Sequence, residues 1–136
     1  MMMIGDVLFP LAAEHRTAMG LLRWWESRRI TFNLMVGGTG IVTLGVVNLI
    51  ASIPPRVPVG LDWRPVLAYG IMANLCYSVG WLLEATAQRM WGPSCPKFGP
   101  ALFRQGVAFS VGLTLLPIAV VSVGWVVRVI GMLVRA

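Results

Sequence analysis

The residues of this chain with chemistry to offer are few, and most lie on one stripe. Gly70, Asn74, Tyr77, Trp81 and Glu84 follow one another at intervals of three or four, which sets them on one face of a helix. Their surroundings are apolar, since residues 65 to 83 carry no charge and Glu84 ends that run. A polar stripe facing acyl chains is expensive, so it should face a bundle interior, a partner or a watery cavity. Asn74, Tyr77, Trp81 and Glu84 therefore form the candidate polar stripe or ion site. Glu84 admits two readings, a proton or cation site, or an interfacial acid paired with Arg89, Arg104 or an arginine of the N-terminal segment. The pairing is the favoured one.

Other chemistries lack their parts. Asp6, Glu14, Glu26, Asp62 and Glu84 are the full acidic set, so no carboxylate pair lies within an apolar run. His15 is the single histidine and stands outside those runs, which excludes a bis-histidine haem within one chain. Cys95, in Ser94-Cys95-Pro96-Lys97, has no second cysteine or histidine beside it, and a disulfide with Cys76 is not expected. Gly37-Gly38-Thr39-Gly40 follows no strand and reads as helix packing, not as a phosphate loop. A serine or cysteine nucleophile would have no base. The expectation is a chain that is not an enzyme, with no metal and no cofactor.

The elements that must position these residues are long and apolar. Residues 30 to 55, 65 to 83 and 105 to 127 are uncharged, and a helix needs roughly 20 residues to cross a hydrocarbon core of about 30 Å. Transmembrane helices are expected at about 30–53, 66–83 and 106–127. Pro54-Pro55 stops the first, and Pro117 should kink the third. On the first, Gly38, Ile41, Gly45, Asn48 and Ser52 recur on one face, a packing surface, within the chain or against another subunit, in which Gly38 and Gly45 let helices approach and Asn48 can bridge them. On the third, Gly124, Arg128, Gly131 and Arg135 share the last face, from which the arginines reach headgroups.

Residues 1–29 form an interfacial segment containing an amphipathic helix. Trp24, Trp25, Arg28 and Arg29 serve there as interface anchors, because tryptophan prefers the headgroup layer and arginine meets phosphate. Met1 to Ala13 lacks the basic start of a signal peptide, and Met19-Gly20 would serve as a compact beginning.

Composition agrees with lipid as the solvent. The 136 residues are 57% hydrophobic and 12% charged, with mean hydropathy +0.79, outside the range of ordinary soluble domains. The net charge of +6 and pI near 10.7 come from basic residues scattered along segment ends, which argues against nucleic acid. Arg16, Arg23, Arg28, Arg29, Arg89, Lys97 and Arg104 fall on one side of the three spans, and Arg56, Arg64, Arg128 and Arg135 on the other. The positive-inside rule then puts the N-terminus in the cytoplasm and the C-terminus outside.

The chain resembles a family of small, uncharacterised bacterial membrane proteins with three spans. The resemblance is carried by Trp24-Trp25-Glu26 with Arg28, Arg29, Phe32 and Asn33, by Tyr69, Ala73-Asn74, Tyr77, Gly80-Trp81 and Glu84, and by Phe103-Arg104, Gly106, Phe109-Ser110 and Leu113 to Pro117. It covers roughly residues 24 to 117, implies a bacterial three-span protein and transfers no catalytic residue. The resulting expectation is an all-α, multi-pass protein of the bacterial inner membrane, one domain over 1–136. It would act by helix association as an accessory, scaffold or oligomer-forming subunit, with lipid and either its own copies or a larger membrane protein as partners. The alternative is a small oligomeric transporter or channel with Glu84 and Asn74 at the ion or proton site.

Overall fold

A computed structural model describes residues 17–57, 62–92, 95 and 97–135, and three helices account for nearly all of them. Helix α1 is Ala18–Ser52, α2 is Trp63–Trp91 and α3 is Gly99–Arg135. At about 1.5 Å per residue they are roughly 52, 43 and 55 Å long, each more than a hydrocarbon core requires. All three are long and apolar enough to cross a membrane.

Local chemistry sets the helix ends. Thr17 caps α1, its Oγ1 accepting the Gly20 N–H at 3.1 Å, and the helix stops just before Pro54. Asp62 caps α2 by accepting the Arg64 N–H at 3.0 Å, and Pro65 sits in the first turn, where no N–H is needed. Gly92, at φ +56°, ends α2 in a conformation that side chains disfavour. Helix α3 continues on both sides of Pro117.

From Ala18 onward the expected interfacial segment and the first span are one uninterrupted helix. Between Gly20 and Gly37 there is no proline and no glycine, so nothing in the sequence separates the two. The readings of Met1 to Ala13 and of His15 lie outside the described residues.

Helix α1 packs most extensively on α3, and α2 rests against both. The core is small and aromatic. Tyr77 of α2 stands 4.7 Å from Phe32 and 5.3 Å from Trp25 between ring centroids, and Phe103 of α3 approaches Tyr77 and Trp25 edge-on. Leu21, Val36, Ala73 and Val107 complete it. The exterior is the reverse of a soluble protein's: Ile30, Leu34, Ile41, Leu49, Phe109 and Val120 are each more than half exposed. An apolar surface of that extent is not stable in water.

Candidate functional site: a buried carboxylate where three helices meet

The stripe on α2 delivers Glu84 to the point where all three helices converge. Its carboxylate is 4% exposed, deep enough that an oxygen left without a donor would be costly. Oε2 accepts the indole N–H of Trp25 on α1 at 2.9 Å, and Oε1 accepts the backbone N–H of Gly99 at 3.2 Å. Gly99 is the first residue of α3, whose opening N–H groups have no partner within the helix and carry the positive end of its dipole. Glu84 therefore caps α3 from another helix.

Two glycines make room for this junction. A Cβ on Gly99 would collide with the Glu84 carboxylate, and one on Gly80 would stand 2.8 Å from the Trp25 ring. Both positions are closed to a larger residue unless the neighbour moves.

Two turns before Glu84, Tyr77 donates its hydroxyl to the Trp25 carbonyl at 2.6 Å. The Arg29 guanidinium lies 5.1 Å from the centre of the Tyr77 ring, pairs with Glu26 at 2.7 Å, and donates to Ser78 Oγ at 3.1 Å and to Asn74 Oδ1 at 3.5 Å. Asn74 Nδ2 in turn donates to Asn33 Oδ1 at 2.8 Å and to its own helix at the Gly70 carbonyl. The polar face of α2 is thus spent on bonding α1. Trp81, half-buried, packs against the aromatic core. The α2–α3 seam is closed by Tyr69, whose Oη lies 2.7 Å from the Ser110 carbonyl and 2.8 Å from Thr114 Oγ1.

Several expectations need correction. The direct partners of Glu84 among the described residues are two neutral donors, the Trp25 indole and the Gly99 N–H. Trp25, expected as an interface anchor, is 2% exposed and belongs to the core. Trp24 packs against the same core while Arg28 lies 4.1 Å over its ring and donates to its carbonyl, and Arg29 faces α2. Of the two packings the sequence leaves open for the face of α1 bearing Gly38, Gly45 and Asn48, within the chain or on another subunit, the first is not seen among the described residues, where that face is exposed. Asn48 donates to the Leu44 carbonyl of its own helix. Gly40 is the glycine of α1 that approaches another helix, its Cβ position 3.8 Å from the Thr114 methyl.

The junction has the makings of a structural lock. Among the described residues no group of three His, Cys, Asp or Glu could hold a metal ion. Comparison with protein-family models, curated proteins and solved structures found no match to this chain.

Proposed function

We propose that this is a multi-pass protein of the bacterial inner membrane that acts by helix association, as an accessory, scaffold or oligomer-forming subunit with its N-terminus in the cytoplasm. One observation carries the reading. The small-residue face of α1 points out of the bundle: Gly38 and Gly45 have nothing within 4 Å of an added Cβ, and Asn48 on the same face is exposed. In lipid such a face is suited to close approach by another helix, and a polar Asn48 there is costly without one. The polar groups of the α2 stripe and of the α2–α3 seam, by contrast, are occupied by one another, while Thr43 Oγ1 is buried without a partner among the described residues. The bacterial assignment rests on the resemblance and the cytoplasmic N-terminus on the distribution of arginines.

Native mass measurement in mild detergent tests this. The chain should appear as an oligomer, alone or with a larger partner, and G38L/G45L should dissociate it while leaving each copy folded, since a Cβ at either position meets no described atom within 4 Å. A wild-type chain that is monomeric and captures no membrane partner sinks the reading.

A second reading, a small oligomeric transporter with Glu84 and Asn74 at its ion or proton site, draws support from the burial of Glu84 against two neutral donors. E84Q in proteoliposomes separates the two. Unchanged assembly with abolished proton-coupled flux favours transport, and no effect on any flux counts against it.

A further inference from the structure

At the far end of α3 lies a groove of about 750 Å³ that none of the foregoing explains. It is lined by Pro55 from the turn after α1 and by Val127, Arg128, Gly131, Met132 and Arg135. Trp125 donates its indole N–H to the Pro54 carbonyl at 3.2 Å, which holds that turn against α3 and makes it one wall.

We propose that this groove binds one anionic phospholipid, its headgroup phosphate held by Arg128 and Arg135. The proposal rests on the reading of the chain as a membrane protein and adds a ligand to it. Four observations point to the phosphate. Among the described residues the lining carries two cations and no carboxylate, and α3 has no Asp or Glu anywhere along its length. The two arginines are seven residues apart, two turns of one face, or about 10.5 Å along the axis. Arg128 Nε is buried and has no hydrogen-bond partner among the described residues, an unmet donor on a cation that lines the groove. Between the arginines stands Gly131, where an added Cβ would meet nothing within 4 Å, so the floor of the groove is bare backbone and open to a ligand.

The walls distinguish a lipid from free phosphate. Val127 and Met132 border the arginines, and the apolar surface continues past them through Val123, Ile130 and Val134, all more than half exposed. A phosphate seated between the guanidinium groups would carry its acyl chains onto that surface. Arginine suits the task because its planar fork can donate two parallel bonds to phosphate oxygens.

The test is lipid retention by native mass spectrometry, with phosphatidylglycerol and phosphatidylcholine of identical acyl chains offered to the detergent-solubilised chain. Wild type should keep one phosphatidylglycerol and no phosphatidylcholine. R128Q and R135Q should each weaken retention by about tenfold, the loss of a charge-assisted contact. G131L should abolish it with both charges intact, whereas R89Q, on α2, should leave it unchanged. Equal retention of the two lipids, full retention by G131L, or displacement by millimolar inorganic phosphate would overturn the assignment. Alkaline carbonate extraction of the wild type keeps the two levels apart: a chain stripped from membranes fails the membrane reading itself, and a retained chain that binds both lipids alike fails only the headgroup site.

Discussion

Trp25 and Glu84 each supply what the other lacks. A buried carboxylate needs donors, a buried indole needs an acceptor, and the 2.9 Å bond between them meets both needs at once. Replacing one partner exposes the asymmetry of such bonds, since the group left behind remains buried and unpaired. W25F should lower the stability of the bundle by about 1–3 kcal/mol from this bond alone, more than an average neutral hydrogen bond contributes. Equilibrium unfolding in mixed micelles measures it, and a wild-type unfolding curve for W25F would mean that the bond contributes nothing. The stripe of Asn74, Tyr77, Trp81 and Glu84 was legible because helical spacing is local information. Its partners were not. Trp25 lies 59 residues from Glu84, and a tryptophan among arginines reads as an interface residue until a neighbouring helix covers it. Gly99 gave a fainter signal: a glycine followed by proline at a helix start marks a place where backbone N–H groups await an acceptor.

Helix α1 begins more than three turns before the first uncharged run, because its polar beginning and its apolar body share one hydrogen-bonded ladder. Trp25 and Arg29 can face α2 only because that ladder holds their angular positions. Ser27→Pro is therefore expected to cost about 3 kcal/mol or more, the penalty of proline within a helix. Ser27 itself is exposed, so packing would hardly contribute. Unfolding midpoints measure the effect, and an unperturbed variant would show that residues 18–29 fold as a separate piece. The extent of α1 was not legible, because a hydropathy reading ends a helix where charge begins and the backbone does not. Likewise the glycine-rich face of α1 was visible in the sequence, but which way it turned was decided by Phe32 and Val36, which claim the opposite side for the core.

At the scale of the whole chain, three long apolar helices were the most legible feature, since they depend on run length and composition alone. Orientation is a separate matter. It rests on the sequence, in which seven basic residues fall on one side of the three uncharged runs and four on the other. A fusion of alkaline phosphatase to the C-terminus should accordingly be active, and a fluorescent protein that matures only in the cytoplasm should be dark there; the reverse pair of results inverts the topology. The Trp25–Glu84–Gly99 junction bears on how such a chain is made. Its acid is translated between its two donors, 59 residues after the indole and 15 before the glycine amide. At roughly 5–20 residues per second the second donor follows about 1–3 s later. When Glu84 leaves the ribosome, the first helix already holds one half of its binding site. The order of synthesis thus acts as a chaperone for the carboxylate, and a permutation of the chain that placed α1 last would deliver the same three helices with their one buried acid unattended.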